Sequence, residues 1–210
     1  MPSQPPDNAY RDAEFSERLA DLQNGRRSLL WRNAAGIWDC DSPSPAGVLS
    51  GSFNPLHEGH EQLRRVAERI LNGPVHFELP IVNADKPPLR PADVQRRLAQ
   101  FTAAGVLITR AATFVEKSRL FAGAAFVVGV DTAERIVHPR FYDDSEARMR
   151  EALEAIREVG CRFLVAGREM AGRFQALRDV ATPPAFHDLF AAIPPGEFRA
   201  DVSSSTLRAP

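Results

Sequence analysis

A chain of 210 residues with 44% hydrophobic and 25% charged residues is long enough to bury its own core, and its composition excludes a disordered protein. The formal net charge of −1 excludes a general attraction to nucleic acid or anionic membrane, so an anionic ligand must be held by a local cluster of charge. Cys40 and Cys161 stand far apart in no CxxC or metal-type spacing, which argues against a disulfide framework and fits a reducing compartment. The start, MPSQPPDNAY, has neither a basic nor an apolar leader region, and no window approaches the roughly 18–20 apolar residues of a membrane span. The expectation is a soluble, cytoplasmic protein with no nucleic-acid or membrane partner.

Residues 1–45 are expected as an N-terminal helical extension. Phe15, Leu19 and Leu22 fall at i, i+4 and i+7 and are stopped by Asn24-Gly25, while Trp31 and Trp38 serve as packing anchors on the main domain. From 46 to 210 one domain is expected. GVLS is a first strand and leads through the loop GSFNPLHEG to a helix whose Leu63, Val66, Ala67, Ile70 and Leu71 form a core-facing stripe closed by Asn72-Gly73-Pro74. VHFELPIV reads as the second strand, and NADKPPLR as a polar loop before a helix opened by Pro91, with Val94, Leu98 and Phe101 on one face. VLIT and AAFVVG are the third and fourth strands, separated by a polar–aromatic loop holding Thr113, Phe114, Glu116 and Lys117. DTAERIV is a short helix, Met149, Leu153 and Ile156 mark another that ends at Gly160, and CRFLVAG is the fifth strand. A last strand is expected around Phe198–Val202. This alternation predicts an α/β fold, a doubly wound Rossmann-like parallel sheet with ligands beyond the carboxyl ends of its strands.

The decapeptide Gly51-Ser52-Phe53-Asn54-Pro55-Leu56-His57-Glu58-Gly59-His60 lies at the first βα turn. Gly51 and Ser52 let the backbone approach a phosphate, Gly59 keeps the start of the helix clear, and the helix N-terminus favours anions. His57 and His60, three apart, can turn into one pocket and donate to phosphoryl oxygens. Two histidines near a helix start are more often ordinary surface or core residues; zinc lacks further ligands, since His76, His138 and His187 are scattered.

GSFNPLHEGH resembles the GxFNPxHxGH signature of the nucleotidyltransferase superfamily with the (H/T)xGH motif, and within it the nicotinamide and nicotinate mononucleotide adenylyltransferases and cytidylyltransferase-like proteins. The resemblance covers about residues 46–210. At its far end Val202-Ser203-Ser204-Ser205-Thr206-Leu207-Arg208 is similar to the ISSTxIR motif, with Ser205 in place of the usual threonine. The resemblance implies a nucleotidyltransferase of the same sheet type. His57, His60, Lys86 and Arg208 would be its catalytic charge-stabilising groups, and Gly51, Ser52, Phe53, Asn54, Gly59, Gly129, Asp131, Arg168, Ser203 and Ser204 its nucleotide-binding residues.

Each supporting residue also has a plainer reading. Asp131 is either a ribose contact or the N-cap of DTAERIV, Lys86 either a phosphate ligand or a solvated loop lysine, and Arg97 either part of the family's RLxM-like stretch or an exposed helix arginine. Phe114 is a candidate stacking surface for the acceptor. Mg²⁺ is expected as cofactor, bound through substrate phosphates and water with no protein ligands named. The expected partners are ATP or CTP and a phosphate-bearing small acceptor, with self-association left open. The leading reaction is adenylyl transfer from ATP to nicotinamide or nicotinate mononucleotide with release of pyrophosphate. Its alternatives are CMP transfer from CTP to a phosphorylated alcohol, and a nucleotide-binding module without turnover.

Overall fold

A computed structural model describes residues 7–39, 44–83, 87–102, 104–170 and 172–198. Helix α1 (Asp7–Gln23) buries Phe15, Leu19 and Leu22 as their spacing predicts, and ends where Gly25 takes a φ of +74°. The segment expected to be helical then departs from that expectation. Strands β1 (Leu29–Arg32) and β2 (Trp38–Asp39) form an antiparallel pair, joined by a turn in which the Asn33 amide accepts from the Ile37 N–H. Leu30 and Trp31 alternate between the two sides of the sheet, a period of two too short to register in four residues of sequence.

The alternation that follows is β3 (Gly47–Ser50), α2 (Glu58–Leu71), β4 (Val75–Pro80), α3 (Pro91–Leu98), β5 (Val106–Thr109), α4 (Phe114–Leu120), β6 (Ala125–Gly129), α5 (Val130–Ile136), α6 (Glu146–Glu158) and β7 (Arg162–Ala166). A small hairpin, β8 (Arg168–Met170) with β9 (Arg173–Gln175), and β10 (Phe190–Ala192) complete the described elements. One sheet of 8 strands runs β10-β7-β6-β3-β4-β5-β1-β2. The stretch from β10 to β5 is parallel, and β1 pairs antiparallel with β5, Leu29 opposite Thr109. The strand order reverses between β3 and β6, which is where ligands gather in doubly wound folds.

Alternate strand residues feed two cores. Leu49, Phe77, Ile108 and Val127 face α1, α2 and α3, whereas Val48, Leu107, Phe126 and Phe163 face α4, α5 and α6. Trp31 lies 4.4 Å from the His76 ring of β4, whereas Trp38 stacks at 4.9 Å on Phe15, a residue of the N-terminal segment itself. Cys161 is a buried free thiol, and Cys40 lies outside the described residues.

Other expectations are corrected. The stripe on α2 is narrower than expected, because its last turn sits at the rim of the sheet, where Leu71 meets Gly47; Ile70 stays 38% exposed. The supposed loop at 113–117 is the start of α4: Thr113 is the N-cap, its hydroxyl accepting from the Glu116 N–H while the Glu116 carboxylate accepts from the Thr113 N–H. Gly129, not Asp131, is the N-cap of α5, and it makes no side-chain cap bond. Phe198 is buried outside any strand, and residues 199–202 of the expected last strand lie outside the described residues.

Candidate active site

The loop from β3 to α2 is held by packing below and by α3 at its side. Phe53 adopts a φ of +43°, a left-handed conformation that is costly for a bulky residue and persists only where the surroundings enforce it. They do so here: its ring is 1% exposed and meets Phe77, Phe101 and His60 edge-on at 5.2, 5.3 and 5.1 Å. Gly51 is required by the same ring, since a Cβ there would come within 2.8 Å of it. From α3 and the turn after it, Arg97 Nη1 donates to the Ser52 carbonyl at 2.8 Å. Gln100 Nε2 donates to the Phe53 carbonyl at 3.0 Å, and its Oε1 accepts from the Leu56 N–H at 2.8 Å. Arg97 is therefore a half-buried clasp on the loop.

His57 is the N-cap of α2 and His60 occupies its third position. Their rings lie 3.8 Å apart, and the His57 backbone N–H donates to His60 Nδ1 at 3.2 Å. A neutral His60 that accepts at Nδ1 carries its proton on Nε2, which leaves Nε2–H as a donor. Burial, and then the neighbouring His57, push the His60 imidazole down to about 4; burial also lowers His57. Both rings are thus neutral donors at pH 7, not cations. A Cβ on Gly59 would stand 3.1 Å from the His57 ring, a tight contact that the ring would have to shift to relieve.

Strand β6 neighbours β3 and runs parallel to it, so the loops after both leave the same edge of the sheet. At the end of β6, Asp131 pairs with Arg168 at 3.3 Å. A Cβ on Gly129 would meet the Asp131 carboxylate at 2.7 Å, so these three predicted nucleotide-binding residues form one group. Of the other predicted residues, Lys86, Ser203, Ser204 and Arg208 lie outside the described residues.

On the other side of the loop a cavity of about 550 Å³ opens beyond the ends of β3, β4 and β5. Gly51, Ser52, Asn54 and Arg97 line its loop side; Phe114, Phe141 and Tyr142 give it aromatic walls. His57, His60, Asp131 and Arg168 are not among its lining residues. The histidines and the Asp131–Arg168 pair thus stand apart from this large and mostly apolar cavity. Sequence reasoning missed Gln100, Tyr142 and the buried pairing of Lys117 with Glu78. For the pair, the available signal was a glutamate inside the otherwise apolar strand VHFELP.

A family model described as cytidylyltransferase-like matches residues 48–209. The chain belongs to the cytidylyltransferase-like family. That family is part of the nucleotidyltransferase superfamily that includes the nicotinamide mononucleotide adenylyltransferases, and it implies a nucleoside triphosphate and a phosphorylated substrate. No curated protein matched the chain. No helix among the described residues is long and apolar enough to cross a membrane.

Proposed function

We propose that this cytidylyltransferase-like protein transfers AMP from ATP to nicotinamide or nicotinate mononucleotide. The observation that carries this reading is the cavity of about 550 Å³ beside the loop. It falls within the roughly 300–1,000 Å³ of small-ligand sites, and its Phe114, Phe141 and Tyr142 walls suit a flat ring better than a short phosphorylated alcohol. A ring-bearing mononucleotide in the cavity would lay its phosphate against Gly51 and Ser52, while the triphosphate occupied the His57–His60 side.

A phosphate oxygen of the acceptor attacks the α-phosphorus in line. The new P–O bond forms as the bond to the bridging oxygen of the β-phosphate breaks, and pyrophosphate leaves. The protein's part is positioning and charge stabilisation. His60 Nε2–H and the His57 ring donate to phosphoryl oxygens without the cost of a buried cation. Lys86 and Arg208 would add positive charge, Ser203 and Ser204 further donors, and Asp131 with Arg168 would hold the nucleoside. The described groups around the loop suit phosphate oxygens better than a metal, and among the described residues no three His, Cys, Asp or Glu side chains converge. Mg²⁺ would accordingly be held by the triphosphate and water, where it would neutralise phosphate charge.

The test is pyrophosphate release in Mg²⁺ buffer, with ATP and CTP each crossed against nicotinamide mononucleotide, nicotinate mononucleotide and phosphocholine. Release only with ATP and a pyridine mononucleotide is the expected result. Release with CTP and phosphocholine would replace this reading with the cytidylyl one, and nucleotide binding without release would favour a binding module.

A further inference from the structure

Beneath the cavity lies a chain of polar groups with no place in an ordinary core. Glu78 in β4 and Thr109 in β5 are each 0% exposed, and Lys117 of α4 is 5% exposed. The Thr109 hydroxyl donates to Glu78 Oε1. Lys117 Nζ donates to Glu78 Oε2 at 2.7 Å and to Ser50 Oγ at 3.2 Å. Removing two charges from water is costly, and well-packed apolar residues in their place are often neutral or stabilising for the fold. Stability alone does not explain why this sheet carries them.

The direction of the hydrogen bonds supplies an explanation. Thr109 spends its single proton on Glu78, and both carboxylate oxygens are occupied. Ser50 Oγ accepts from Lys117, so its own proton must point elsewhere, and among the described residues no acceptor for it occurs. Ser50 and Lys117 both line the cavity. The chain thus ends at one unspent donor on the floor of the cavity, in the residue that precedes Gly51. The ion pair is neutral overall, so what it offers is a hydrogen bond of fixed direction and not a net charge.

We propose that Ser50 is a specificity-determining contact for the acceptor substrate, with Lys117, Glu78 and Thr109 as positioning residues that aim its hydroxyl. It selects acceptors that place a carbonyl, carboxylate or phosphoryl oxygen at the cavity floor. This inference rests on the reading of the cavity as the acceptor site.

The test measures KM for acceptor and for nucleoside triphosphate separately, in wild type, Ser50→Ala and the double variant Lys117→Met/Glu78→Leu. The double variant removes both charges together, so neither partner is left buried and alone. Ser50→Ala is expected to raise the acceptor KM about tenfold, the loss of one oriented hydrogen bond, with the triphosphate KM and the thermal midpoint unchanged. The double variant, in which only the uncharged Thr109 hydroxyl loses its partner, should stay folded and show the same acceptor defect with an unchanged triphosphate KM, a split that a purely structural pair would not produce. An unchanged acceptor KM in folded double variant, or equal rises in both KM values for Ser50→Ala, overturns the proposal. If wild type releases no pyrophosphate with any pair, the adenylyl reading fails by itself, and the relay is tested by thermal shift with nicotinate mononucleotide, nicotinamide mononucleotide and phosphocholine. A probe that stabilises wild type and not Ser50→Ala supports it; equal shifts, or none, overturn it.

Discussion

The His60 ring packs into the core and, in the proposed reaction, also donates to a phosphoryl oxygen. Its edge-on contact with Phe53 ties it to the interior, and the bond from the His57 N–H fixes which nitrogen bears the proton. The cost appears as pH dependence. Because the folded protein holds His60 near 4 against an ordinary 6.5, the unfolded chain binds more protons in between. The associated stability is complete above about 6.5 and is lost as pH falls towards 4. The urea midpoint should therefore drop between pH 7 and pH 5, and drop less in His60→Gln, with His57 and His76 accounting for part of the remaining slope. Equal drops in both proteins would mean that the buried imidazole is not the source. Turnover tests the other role: His60→Ala should lose about 10²–10³-fold in kcat, the usual cost of one charge-stabilising donor, with an unchanged circular dichroism spectrum. A purified His60→Ala enzyme at the wild-type rate would remove His60 from the mechanism.

The loop between β3 and α2 depends on α3 for its shape. Gln100 satisfies a carbonyl and an N–H of that loop with a single amide, and Phe53 keeps its left-handed turn under that constraint. Gln100→Ala would leave both groups to find other partners, so a loss of about 1–3 kcal/mol in denaturant unfolding is expected. The kcat should fall by a larger factor than for a comparably destabilised variant remote from the loop; equal falls would show that Gln100 acts through stability alone. At this scale much was legible from sequence. Apolar strands, the stripe on α1 and the loop–helix junction follow from periodicity and from Gly51, Gly59 and Asn72-Gly73-Pro74. What was not legible is contact across the sheet. Thr113 and Glu116 spell a capping box, yet the seven-residue helix they open reads as polar until Lys117 is seen to meet Glu78. Strand β1 likewise gains its identity only by pairing with β5.

At the scale of the whole molecule, residues 7–39 are part of the fold. Phe15, Leu19, Leu22, Leu30 and Trp31 are buried, and at about 1.5–3 kcal/mol each their burial is comparable with the roughly 5–15 kcal/mol that holds a domain together. Leu30 and Trp31, in β1, also cover the edge of β5, which would otherwise invite pairing between molecules. Deleting residues 1–39 should give aggregated protein or a thermal midpoint lowered by more than about 10 °C; an unaltered midpoint would make the segment a dispensable attachment. The same arrangement bears on synthesis. Leu29 leaves the ribosome well before Thr109, its partner across the sheet, so the nascent chain carries an apolar hairpin with nowhere to dock until the middle of the sequence has been made. The expectation is that changing the pace of translation between β1 and β5 changes the yield of folded protein.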